Sequence, residues 1–199
     1  MDTLFFRESP TLLLYITILF GILENTIRYY YNNTKYSYLL FTLYIITIAS
    51  LMYFYRIPDR TNNYPPEFVV APSDGVVKSI IKLNHHTTHI AIYLNLLDTH
   101  IQWSPLQGTI VKLTHKTGRF HPAYLLEKSK YNERVETTIY NPVIDDHIKV
   151  VQIAGQLARR ITTYVTPHQH IHRGQLLGMI KLSSRVDLFI PHKKINIFI

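Results

Sequence analysis

Hydrophobic positions form long runs in the first 60 residues of the chain and then break into short ones. Residues 36–55 are twenty consecutive positions without a charge, and twenty residues of α-helix rise about 30 Å, the thickness of a bilayer's hydrocarbon core. Lys35 and Arg56 bracket this run and tyrosines lie at both of its ends, as in an interfacial aromatic belt. The pattern predicts a transmembrane or deeply embedded helix. Residues 9–23 form an earlier uncharged run of fifteen, short for a full span, which suits a thin or tilted crossing or an interfacial helix. Glu24, Arg28, Asn32 and Asn33 then predict the polar turn of a hairpin. Arg7 and Glu8 make a mixed leading region with no small-x-small site after the apolar run, which argues against a cleaved signal peptide.

Beyond residue 60 the period changes. Glycine, proline and aspartate punctuate short β-branched runs at 68–71, 76–83, 89–97, 109–114, 135–140, 147–153, 160–165 and 175–181, the spacing of a barrel or sandwich. Residues 155–160 suit either a helical turn or a bent strand, and 116–134 read as a long irregular loop, functional or mobile. The chain therefore divides into an apolar helical hairpin, 1–60, and a mainly β (α+β) domain, 61–199.

Composition sharpens that division. Of the 199 residues only 17% are charged, and the net charge is +8. Residues 1–60 carry five basic against four acidic side chains, and residues 61–199 carry 16 against nine, so the charge surplus belongs to the β domain. That surplus suits an acidic partner, and next to an embedded helix a lipid surface is the economical one. Lysine and arginine are scattered rather than clustered, which disfavours nucleic acid. Arg28 and Lys35 lie in the presumed turn and Arg56 and Arg60 after the second helix; by the positive-inside rule the second pair favours a membrane protein whose β domain lies on the cytoplasmic face. Cysteine is absent, excluding disulfides, thiolate nucleophiles and cysteine-based metal sites.

Eleven histidines raise a metal hypothesis, with His85, His86, His89, His168, His170 and His172 as its candidates. Alternate histidines share a strand face, but no carboxylate accompanies them at ligand spacing, and solvated loop histidines with no metal are expected. No phosphate loop, HExxH or G-x-S-x-G occurs. Three segments concentrate special residues. In 71–75 an Asp74-Gly75 turn sets a carboxylate at a strand start. In 97–105 His100 closes an apolar run before Pro105 and Gly108, and 182–187 holds Ser183, Ser184, Arg185 and Asp187. Each also reads as an ordinary turn or surface strand.

Taken in order, the motifs YFYRIPDR, VVAPSDGVV, LDTHIQWSPLQGTI, TGRF, NER, VVQIAGQLARRI and HRGQLLGMIKLSSRVDLFIP resemble the phosphatidylserine decarboxylase proenzymes, in particular their short, membrane-anchored branch. The resemblance runs from about Tyr53 onward and implies a barrel-sandwich-like β domain. It implies self-cleavage between Ser183 and Ser184, conversion of Ser184 into an N-terminal pyruvoyl group, and use of that covalent pyruvate cofactor to convert phosphatidylserine to phosphatidylethanolamine and CO2. Ser184 would be the pyruvoyl precursor, His100 the proton donor and Asp74 a support for self-cleavage. Arg119, Phe120 and Arg134 match positions from which the lipid could be held. Residues 184–199 would remain as a cleaved partner chain, with a homodimer left open.

The sequence departs from the family at two places. Ser183 stands where glycine usually precedes the processed serine, and Trp103 stands where a histidine or arginine is usual. Two readings compete with the enzyme: a catalytically inactive lipid-binding member, and a lipoyl-like membrane-tethered module. The second rests on Ser104-Pro105-x-x-Gly108 and Arg173-Gly174-Gln175-x-x-Gly178, which resemble paired lipoyl hairpins without the lysine that such carriers need.

Overall fold

The computed structural model describes residues 10–31, 34–60, 64–65, 68–84, 86–156, 160–181 and 184–191. The chain divides into two units, Met1–Pro58 and Asp59–Ile199.

The first unit is a pair of helices, α1 (Pro10–Tyr31) and α2 (Thr34–Phe54), each long and apolar enough to cross a membrane. The short-run expectation for 9–23 is corrected here: α1 continues through Glu24 and Arg28, which do not form the turn. Arg28 Nε donates to Glu24 Oε1 at 2.7 Å across one helical turn, and Asn25 Nδ2 and Thr26 Oγ1 donate to the carbonyls of Gly21 and Ile22. These polar side chains thus find partners on the helix itself, so they need not end it. Phe20 stacks on Tyr44 at 4.4 Å between ring centroids, joining the two helices. Asn32 and Asn33 lie outside the described residues.

The described residues of the second unit form ten strands: β1 (Val76–Lys82), β2 (Thr87–Leu94), β3 (Ile101–Trp103), β4 (Gly108–Lys116), β5 (Arg134–Asn141), β6 (Asp146–Ala154), β7 (Ile161–Thr163), β8 (His170–Ile171), β9 (Leu176–Ile180) and β10 (Ser184–Pro191), with one helical turn, α3 (Leu126–Ser129). They make a seven-stranded sheet, ordered β1-β2-β10-β6-β5-β4-β8, and a three-stranded sheet, β3-β9-β7. Neighbouring strands in both sheets pair antiparallel. The architecture is sandwich-like and mainly β, as expected, but the seven-stranded sheet ends in edges at β1 and β8 and does not close as a barrel. Residues 68–71 are not a strand; Val70 N instead donates to Pro105 O at 2.9 Å. Strand β10 corrects the surface reading of 182–187, because it runs through the middle of the large sheet with β2 on one side and β6 on the other.

Alternation decides which side chains fill the core. Along β10, Val186, Leu188 and Ile190 point into one apolar cluster with Ile90, Ile92 and Leu94 of β2 and Ile148 and Val150 of β6. Burying such an aliphatic side chain stabilises the fold by about 1.5–3 kcal/mol. Ser184 has the same parity at the start of β10, so its side chain lies at the end of this core face. Arg185 and Asp187 occupy the other face. Ile148 is fully buried, and Ile148→Ala is expected to lower unfolding stability by about 2–5 kcal/mol, measured by urea unfolding of the detergent-solubilised chain.

Candidate active site

Strand pairing brings the three special segments to one end of β10. Ser184 pairs with Leu94 and Ala154. After Leu94 the chain turns tightly: Asp98 N donates to Asn95 O at 3.1 Å, and the Asp98 carboxylate accepts from Asn95 N at 2.7 Å. That turn delivers His100, which is fully buried. The His100 carbonyl accepts from Ile180 N at 3.0 Å, and Ile180 is four residues before Ser184, a reach of at most about 14 Å. His100 is therefore tethered to Ser184 through both β2 and β9.

The Asp74 loop joins from a third direction. Pro72 O accepts from Trp103 N at 2.9 Å. Gly75 has φ +132, and a Cβ there would stand 2.5 Å from Tyr93 O, so only glycine lets this loop lie against the residue next to Leu94. Both carboxylate oxygens of Asp74 accept from Arg60 Nη2, at 2.5 and 2.7 Å, and the Arg60 guanidinium sits 5.5 Å from the Trp103 ring centroid. The tryptophan at 103 thus backs the arginine that holds Asp74.

Local hydrogen bonds fix the imidazole. His100 Nδ1 lies 2.8 Å from Asp98 O. A carbonyl only accepts, so in the neutral ring Nδ1 carries the proton and Nε2 is the basic nitrogen. Gln102 Nε2 donates to His100 O at 2.9 Å, and Gln152 Nε2 donates to Gln102 Oε1 at 2.7 Å. This buried amide relay links β6 to β3, and Gly178 leaves room for it: a Cβ there would meet Gln152 Nε2 at 2.8 Å.

Among the described residues four serines are buried: Ser73, Ser104, Ser129 and Ser184. Ser104 Oγ donates to Leu106 O and Ser129 Oγ to Leu125 O. The hydroxyls of Ser73 and Ser184 have no hydrogen-bond partner among the described residues, whereas Ser104, which also lies in a converging segment, is satisfied. Leaving a buried hydroxyl unsatisfied costs about 1–3 kcal/mol, which a structural serine avoids by turning to a carbonyl. Ser183 lies outside the described residues.

The 116–134 segment is an ordered cover rather than a free loop. Asn132 is fully buried; its Nδ2 donates to His121 O and Ala154 O, each at 2.7 Å, while its Oδ1 accepts from His121 N. Since Ala154 pairs with Ser184, the asparagine fastens this cover to the serine's neighbour. Phe120 packs against the core, and Arg119 is exposed. Arg134 is committed locally: its Nε donates to Glu136 at 3.0 Å and its Nη1 to Lys130 O at 3.0 Å.

Sequence reading missed a buried ionic group behind the serine. Arg185, only 3% exposed, donates through Nη1 to Ser129 Oγ at 2.6 Å and through Nη2 to Asp187 Oδ2 at 3.1 Å. His89 Nε2 is 3.1 Å from the same carboxylate oxygen. The i, i+2 spacing of Arg185 and Asp187 is a usable signal once 184–191 is read as a strand. The metal candidates do not assemble: among the described residues no group of three His, Asp or Glu side chains could hold an ion, and His85 lies outside them. A cavity of about 390 Å³ lined by His86, His147, Lys149 and Pro191 lies at the other end of β10, seven residues and roughly 23 Å from Ser184.

The phosphatidylserine decarboxylase family model matches residues 48–199. Among curated proteins, a phosphatidylserine decarboxylase proenzyme of Carboxydothermus hydrogenoformans is 32% identical over 81% of this chain and 76% of its own length. Proenzymes of the same name from Parabacteroides distasonis and Bacteroides fragilis are 35% and 34% identical, covering 93% and 85% of this chain and 87% and 78% of theirs. The chain belongs to the phosphatidylserine decarboxylase family. The phosphatidylserine decarboxylases are lyases, and the match includes all three converging segments together with the Asn132 cover. Against this membership the lipoyl-like reading of the hairpins at 104–108 and 173–178 falls away.

Glu136 links the cover to this phosphatidylserine decarboxylase domain. Burial alone would raise its carboxyl, but hydrogen bonds from Lys116 and Arg134, with the charges of Lys116 and Lys149, outweigh that and hold it below the ordinary value of 4.5. A lowered acid stabilises the fold above its unfolded pKa and loses that contribution as pH falls through the folded one. The stability gap between the natural chain and Glu136→Gln is therefore expected to be largest near neutral pH and to narrow as pH falls below the ordinary 4.5 and through the lowered folded value, read by urea unfolding across that range.

Proposed function

We propose that the chain is a self-processing, pyruvoyl-dependent phosphatidylserine decarboxylase whose cofactor is made from Ser184. What supports this most is the pattern among buried serines: Ser184 keeps a hydroxyl without a partner among the described residues at the point where the His100 and Asp74 segments converge. In self-cleavage a base takes the Ser184 hydroxyl proton and Oγ attacks the Ser183 carbonyl, so that an ester replaces the peptide bond. Loss of the Cα proton and of the Ser183 carboxylate leaves dehydroalanine, which takes up water and releases ammonia to give the pyruvoyl group. A buried side chain whose hydroxyl has no partner among the described residues fits such a group, since processing replaces the hydroxymethyl with a methyl and removes the O–H donor that the core does not satisfy. When bound, the pyruvoyl ketone supplies an electron sink for the carbanion left by loss of CO2.

The remaining roles fall to the chain's own residues. His100 Nε2, its tautomer fixed by Asp98 O, holds the proton that replaces CO2 on the substrate carbon. Gln102 and Gln152 keep the His100 backbone in place. Arg60 fixes the position of Asp74 through both of its carboxyl oxygens, from which Asp74 supports self-cleavage by orienting the base. Arg119, exposed on the cover, is the phosphodiester contact, and Arg134 positions the cover through Glu136 and Lys130 rather than reaching the lipid. Residues 1–60 anchor the enzyme in the bilayer with the β domain on the cytoplasmic face, which keeps substrate and site at the same surface. The product is phosphatidylethanolamine.

Ser184→Ala is expected to remain one uncut chain on a denaturing gel and to release no CO2 from phosphatidylserine vesicles. His100→Gln is expected to lower decarboxylation at least a hundredfold. A Ser184→Ala chain that still decarboxylates would exclude a serine-derived cofactor.

A further inference from the structure

The end of the β unit that carries Ser184 also carries exposed apolar side chains. Leu96 and Leu97, at the tip of the turn after β2, are 56% and 72% exposed, and Tyr124 and Leu125 on the cover are 56% and 37% exposed. These two loops are neighbours: the rings of Tyr93 and Tyr124 meet edge-on at 6.2 Å, three residues before Leu96. Val76, paired with Tyr93 on the edge strand, extends the same surface and is 47% exposed. Single exposed leucines are ordinary, whereas several gathered at one end of a domain mark a contact surface.

Charge indicates what the surface meets. Residues 118–131 hold three basic side chains, Arg119, Lys128 and Lys130, against Glu127 alone, and Lys78 lies over the Tyr93 ring. The opposite end, eight residues along β6 from Ala154 and about 26 Å away, has no such surplus: Asp145 and Asp146 lie there with Lys149 and Lys82. A domain end that gathers exposed apolar tips and basic residues suits an anionic bilayer, its apolar tips in the interface and its basic residues among the phosphates.

We infer that the β unit docks on the membrane through its own surface, with the Leu96-Leu97 turn and the Tyr124-Leu125 cover inserted at the headgroup boundary of anionic lipid. This deepens the decarboxylase reading and rests on it for its purpose: the two loops flank the serine, so docking holds a lipid headgroup at the site while the acyl chains stay in the bilayer. It is distinct from tethering by α1 and α2, which confines the chain to the membrane without choosing which end of the β unit faces it.

Because the natural chain has no cysteine, one thiol can be introduced at a time. Leu97→Cys, Leu125→Cys and Val143→Cys, each in the full chain, are labelled with a fluorophore and reconstituted in phosphatidylcholine–phosphatidylglycerol vesicles. Val143 is 53% exposed in the β5–β6 turn and reports the opposite end. Labels at 97 and 125 are expected to be quenched at least twofold by nitroxide-bearing lipid and shielded from iodide, with the label at 143 showing the reverse. Equal iodide access at 97 and 143 overturns the proposal. So does shielding at 97 without lipid quenching that fades as protein is diluted into more lipid, the behaviour of a contact between two copies. A Leu96→Ser, Leu97→Ser double variant is expected to lose about tenfold in decarboxylation of bilayer phosphatidylserine while staying within twofold on a soluble short-chain form; equal losses on both would also overturn it. Intact masses of the same samples keep the two readings apart: a cut chain without lipid quenching overturns only the docking surface, and an uncut chain with quenching overturns only the self-processing.

Discussion

Pairing of β10 on both of its sides is the constraint from which the rest follows. Its register against Leu94 and Ala154 fixes Ser184 at the margin of the core, and alternation sends Ser184 to the core face and Arg185 to the other. The turn that follows Leu94 and the connection that precedes β10 then have little choice about where they place His100. A one-residue slip of this strand would exchange the faces of Ser184 and Arg185 and bring a guanidinium into the apolar cluster, so the large sheet and the site stand or fall together.

Around the serine the Asn132 side chain makes three hydrogen bonds to the backbone of His121 and Ala154, and Arg185 and Asp187 pair beside Ser129. An isolated buried charge would be far more costly than this mutual arrangement, which gains its strength from hydrogen bonds as well as attraction. The hydroxyls of Ser73 and Ser184, by contrast, stay without partners among the described residues.

The two-unit organisation is legible in the sequence because a twenty-residue uncharged run and a change to short β-branched runs are local signals. So are β1, β2, β4, β5 and β6, which are such runs set off by glycine, proline or aspartate. The central place of β10 is not, because Ser184, Arg185 and Asp187 look like a surface strand until partners on both sides are known. Nor can spacing reveal that Trp103 backs Arg60, or that Gln152 reaches Gln102, since those contacts join residues 43 and 50 positions apart in the chain. The extent of α1 is hidden by Glu24 and Arg28, which read as breaks in the apolar run, whereas a carboxylate and a guanidinium four residues apart satisfy each other on the helix. The three chemical segments are visible as residue types in a family order, and their convergence comes only from the fold.

If the buried, unsatisfied Ser184 is the source of the cofactor, the mass of the purified natural chain tests it most directly. Two pieces that separate under denaturing conditions are expected, residues 1–183 and 184–199, the smaller with a blocked N-terminus that reacts with hydroxylamine. A single intact chain that releases CO2 from phosphatidylserine would contradict a cofactor made from Ser184.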